Sequence, residues 1–237
     1  MRISSTLSTA VILIVVASAG FGDDAHSGRK TPPTSDKTIK ALIEQLASPN
    51  PKPITGDEEP KVGPDYRLPP GFNHEKQVPV REARSALRIL GSQAFPMLIE
   101  RWDDKRYSLT VANGLSGWCR NQTVGKVCQT IIYDHIQPYG YWQSIGRDPR
   151  GKPLRPRYPE EFISSQETAR IWWEKHKDKT LQQMQLEVLD WIIAEEAKQP
   201  KKYVDRERQY LQQVHQKLIE GKNPLPPGNY YCDENEK

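Results

Sequence analysis

Apolar residues in this chain recur at three- and four-residue intervals over much of its length. Stretches dense in proline and glycine separate them, so the pattern predicts helices joined by irregular connections. Ser35 or Asp36 opens a helix reaching about Ala47, in which Ile39, Leu42, Ile43 and Leu46 make one stripe. Pro49 ends it. Seven prolines between Pro49 and Pro70 then predict an extended connection, with Tyr66, Leu68 and Phe72 as its anchors. A second helix, from about Pro79 to Leu90, turns Val80, Ala83, Leu87 and Leu90 inward and places Gly91 at its C-terminal cap. Ser92 caps a third helix. There Ala94, Phe95, Leu98, Ile99 and Trp102 are the apolar positions, and Pro96 falls in the first turns, where its missing N–H costs little.

The spacing returns in Val124, Val127, Cys128, Ile131 and His135, a helix that Pro138 ends. Residues 137–163 have no sustained period and read as a long loop. Ser164 with Glu167, and Thr180 with Gln183, read as capping boxes. The first opens a helix carrying Ala169, Trp172, Trp173 and His176. The second opens one from Leu181 to about Lys198, whose Met184, Val188, Leu189, Trp191, Ile192 and Ile193 form a face wide enough for a central position. Tyr203, Tyr210, Leu211, Val214 and Leu218 make a last amphipathic helix ending at Gly221. No stretch shows the strict alternation of a half-buried strand, so the expected class is all-α.

Residues 80–104, VREARSALRILGSQAFPMLIERWDD, pair two short helices through a one-glycine turn. This unit resembles a HEAT-type helical repeat. Val80 and Arg81 start the first helix, Ala83, Ala86, Leu87 and Leu90 run along it, and Gly91 makes the turn. Ala94, Pro96, Leu98 and Ile99 follow before Asp103-Asp104. The alanines would let helices approach closely, and the leucines would fill the layer between them. After Asp104 the repeat signature departs, since Lys105 to Trp118 brings Tyr107, Asn113, Gly114 and Gly117. The resemblance therefore implies an irregular HEAT-like or armadillo-type helical bundle with long Pro-rich loops, not a regular solenoid.

The N-terminus adds an address. Arg2, the apolar run Ala10 to Ala17 and the small residues Ala17-Ser18-Ala19 read as an export signal cleaved before Gly20. The run falls short of the roughly 20 apolar residues of a membrane-spanning helix. No cysteine follows the cleavage site, which removes a lipid anchor there, so the expected location is secreted or periplasmic with no stable membrane anchor. The expected layout is signal 1–19, a polar lead-in 20–34, a helical domain 35–222, and a Pro-rich and acidic tail 223–237. With its Trp-rich later half, this combination is similar to uncharacterised secreted bacterial proteins.

Composition then limits the chemistry. Removing residues 1–19 takes away one cation, Arg2, and no anion, lowering the net charge from +4 to +3. So small an excess gives no general field for nucleic acid. The five histidines match no metal-ligand spacing, and no nucleophile, phosphate or dinucleotide motif occurs, so no catalytic, metal or cofactor residues are assigned. Adjacent acids such as Asp103-Asp104, Glu160-Glu161 and Glu195-Glu196 point about 100° apart on a helix, not across a cleft. Export permits a disulfide, for which Cys119 and Cys128 are the nearest pair, and Cys119 with Cys232 the next. Asn121-Gln122-Thr123 matches the N-glycosylation pattern.

The loop 139–158 is the strongest binding candidate. Tyr139, Tyr141 and Trp142 precede Arg147, Arg150, Lys152, Arg155 and Arg157, opposed only by Asp148. Aromatic rings beside guanidinium groups suit sulfate, phosphate or carboxylate ligands. The leading expectation is a non-enzymatic exported protein that binds a protein partner. The alternative is binding of an anionic polysaccharide or another polyanion through this loop, and a lesser one is hydrolysis at an unrecognised cleft.

Overall fold

The computed structural model describes residues 34–56, 58–59, 62, 66–112, 119–137, 158–198, 205–221 and 223–227. Helix α1 (Asp36–Gln45) starts where Ser35 Oγ accepts the Thr38 amide, and it buries Ile39, Leu42 and Ile43, with Leu46 just beyond. It packs on α2 (Val78–Leu90), which buries Val80, Ala83 and Leu87. Gly91 follows at φ +58°, a conformation that side chains with a Cβ rarely adopt. The 3₁₀ turn Gly91–Ala94 leads into α3 (Phe95–Glu100) with Pro96 in its first turn. Ser92 supplies no cap here, because the chain reaches α3 through the 3₁₀ turn and Ala94 occupies the capping position.

Helix α4 (Val124–Ile136) is the axis of the body. Val124, Val127, Cys128, Ile131, Ile132 and Ile136 are buried around its circumference, which is how a helix touched on several sides must read. It meets α2, α3 and α7 (Leu181–Ala197). The Thr180–Gln183 capping box forms as expected, whereas the earlier one is displaced by one residue. Ser165 and Thr168, not Ser164 and Glu167, start α6 (Gln166–His176), because the backbone of 163–165 is still irregular where Ser164 sits. Helix α8 (Asp205–Glu220) lays Leu211, Val214 and Leu218 against α7.

The body is mostly helical, in rough agreement with the all-α expectation, and among the described residues it adds two small antiparallel sheets that the sequence pattern does not predict. Ile54–Thr55 (β1) pairs with Tyr66–Arg67 (β2), and Tyr107–Ala112 (β3) pairs with Cys119–Thr123 (β4). The second pair hides from an alternation test for a physical reason. Its buried positions include Ser108, Cys119 and Gln122 beside Leu109 and Val111, and a register irregularity between Tyr107 and Leu109 breaks the period. The long connection is also held differently than expected. Tyr66 and Leu68 are exposed, and the anchor is polar: Asn50 Nδ2 donates to the Asn73 carbonyl at 2.9 Å and to Gln77 Oε1 at 3.0 Å. Gln77 Nε2 in turn donates to the Ser108 carbonyl at 2.5 Å, tying the start of α2 to β3.

The stretch read as a loop to residue 163 ends in a short helix, α5 (Tyr158–Phe162). At the other end, residues 223–227, the start of the Pro-rich tail, are tied to α7. Leu225 is buried, its amide donates to Gln185 Oε1 at 2.8 Å, and its carbonyl accepts from Gln185 Nε2 at 2.9 Å.

Candidate functional site

The ligand-binding residues expected from sequence, Tyr139, Tyr141, Trp142, Arg147, Arg150, Arg155 and Arg157, lie outside the described residues, and what the structure places is the two ends that carry them. Gln137 at one end is buried, with its amide donating to the Tyr133 carbonyl at 3.0 Å. Tyr158 at the other end is buried at the head of α5. Its hydroxyl accepts from Trp172 Nε1 at 3.0 Å, and burial pushes that hydroxyl's pKa upward. Phe162 and Trp191 meet the Tyr158 ring at 4.6 and 5.5 Å between centroids. Trp172 is therefore core, and Trp173 is half-buried against Phe95.

The histidines show what chemistry the body could offer. His176 is buried and stacked on Trp172, with ring centroids 4.3 Å apart. Its Nδ1 lies 2.6 Å from the Trp172 carbonyl and its Nε2 2.8 Å from Glu187 Oε1, while the other Glu187 oxygen accepts from Lys179. His135 repeats the arrangement: Nδ1 lies 2.7 Å from the Ile131 carbonyl and Nε2 2.8 Å from that of Arg88. A general acid or base needs a ring nitrogen facing substrate. In both residues each nitrogen already faces an acceptor within the fold, so they fix helix ends and pairs. His215 Nε2 meets Asp190 at 2.8 Å between α8 and α7, and His74 sits edge-on to Phe72.

A cluster that the sequence reading missed lies between α2 and α4. Asp134 is buried, its Oδ2 has no hydrogen-bond partner, and the nearest guanidinium nitrogen, Arg88 Nη1, is 3.6 Å away. Burial pushes the Asp134 pKa up to about 7 against the pull of Arg88 and Arg84. Its position was legible in principle. Asp134 stands three residues after Ile131, on the inward side of the stripe, while Arg84 and Arg88 stand four apart on α2.

Cys119 and Cys128 are both buried but are not bonded to each other, so the expected bridge is corrected. Cys128 sits on the inner face of α4, where burial pushes its thiol up to about 12. Of the adjacent acids, Asp104 accepts from Arg106 and Glu195 from Lys198. Asn121 of the glycosylation pattern is also engaged, accepting from Thr110 at 2.7 Å and donating to the Pro53 carbonyl at 2.6 Å. Among the described residues no group of three or more His, Cys, Asp or Glu side chains is placed to hold a metal, and no helix is long and apolar enough to cross a membrane. Comparison with family models, curated proteins and solved structures returns no match to this chain.

Proposed function

We propose that this chain is an exported, non-catalytic helical protein whose HEAT-like surface binds a protein partner. The observation that carries this reading is the unit α2–Gly91–α3. Two short helices reverse through a glycine at positive φ and pack their Ala and Leu faces onto α1 and α4. The engagement of His135 and His176 within the fold supports binding over hydrolysis. Affinity capture from envelope and culture-medium fractions should return the same partner in replicate, and charge substitutions on the exposed face of α2 (Glu82, Ser85) should release it. Repeated empty captures would overturn the reading. N-terminal sequencing of the exported form should begin at Gly20.

A second reading is favoured by the composition of 139–158. Replacing Arg150, Arg155 and Arg157 with Ala should weaken retention on a sulfated polysaccharide matrix and flatten its salt dependence. Unchanged retention disposes of it.

A further inference from the structure

We propose that Asp134 is a proton-uptake site built into the α2–α4 joint, so that the packing of these two helices tightens as the surroundings become mildly acidic. Solvation decides the charge of this group. The carboxyl group is enclosed in the most buried helix of the fold, and a charge placed there loses its water. Hydrogen bonds could compensate, but Oδ2 has none, and Arg88 at 3.6 Å stands beyond hydrogen-bond reach and offers only Coulomb attraction. Taking a proton from solvent onto the carboxylate removes the buried charge altogether.

The surroundings fix the sign. From α2, Arg88 and Arg84 face the carboxyl group and favour its charged form, yet desolvation outweighs both. From α3, α7, the Gly91–Ala94 turn and the β3–β4 hairpin, which also pack on α4, no further charge among the described residues acts on it appreciably. On α7, Glu187 is taken by His176 and Lys179, and Asp190 by His215. On α4 itself the neighbour is His135, whose nitrogens face the Ile131 and Arg88 carbonyls and whose own pKa is lowered by burial. A carboxyl group raised from 3.8 to about 7 on folding holds its proton when the unfolded chain has lost it. Its contribution to stability is thus full below about pH 4 and is lost as pH rises to about 7. None of this depends on what the surface binds.

The test compares wild type with Asp134→Asn, an isosteric and permanently neutral side chain, by denaturant unfolding from pH 4 to 8. The ratio of the two unfolding constants should change by about tenfold per pH unit between about pH 4 and 7 and level off above. A ratio constant across that range overturns the proposal. Carbon-13 NMR of the wild-type carboxyl groups reads the same site without a variant. A midpoint near 7 for Asp134 supports proton uptake, and one near the ordinary value of about 4 overturns it.

Discussion

At the scale of single residues, the sharpest constraint is a missing side chain. Gly125 lies in the first turn of α4, beneath the turn that follows α3, and a Cβ there would lie 2.2 Å from the Trp102 carbonyl oxygen. That oxygen belongs to the backbone and cannot rotate aside. Gly125→Ala should therefore destabilise by at least about 2 kcal/mol, read as a lower denaturant midpoint with unchanged slope. Three residues on, Cys128 offers a chemical readout. With its thiol buried and its pKa pushed up to about 12, the native protein should leave Cys128 unlabelled by iodoacetamide at pH 8, with labelling appearing only on unfolding. Rapid native labelling, followed by mass spectrometry, would refute that burial. Cys128 was legible as an inward position from helical spacing alone. Asp134 was passed over, because a carboxylate on an apolar stripe is informative only when the opposing helix is known, and no local pattern pairs Asp134 with Arg88.

At the scale of elements, the helices with one clean stripe were readable, and those shaped by distant partners were not. Helices α1, α4 and α7 begin and end within a few residues of their expected bounds, since caps such as Ser35 and Thr180 act locally. The β3–β4 pair was missed because its inward positions are partly polar, although Tyr107, Thr110 and Val111 favour strands and Asn113-Gly114 is a turn dipeptide. Gln185 is the clearest long-range tie. It donates to the His135 carbonyl at 2.7 Å while bridging both backbone groups of Leu225. Gln185→Ala would strand these buried groups. It should cost about 2–3 kcal/mol, with faster hydrogen exchange at the Leu225 amide before any change in the centre of α4. Equal acceleration at both places would mean that Leu225 and α4 open only together.

At the scale of the whole molecule, titration sets neighbours against each other. Asp134, raised on folding, makes stability fall as pH rises from about 4 to 7. His135, lowered on folding by burial, does the reverse below its ordinary value of 6.5, because the unfolded chain then binds the extra proton. Just below pH 6.5 the two effects oppose. Asp134→Asn should leave stability rising with pH, and His135→Gln should leave it falling, whatever each variant's absolute stability. Two slopes of the same sign would contradict the scheme. The acid limb has another origin. Against the opposing effect of its burial, Glu187 is held below the ordinary carboxylate range by Lys179 with His176, and Asp104 is held there by Arg106, so their support is present at neutral pH and drains away as pH falls through those lowered values.

The buried flanks Gln137 and Tyr158 carry a last consequence. Each is fixed by contacts with the body, Gln137 through Tyr133 and Tyr158 through Trp172, Phe162 and Trp191. The helical body itself therefore holds both ends, Gln137 at the close of α4 and Tyr158 at the head of α5. Loss of the Tyr158 ring would be felt first at Trp172 of α6 and Trp191 of α7, so this flank is a joint of the body as much as the end of a connection.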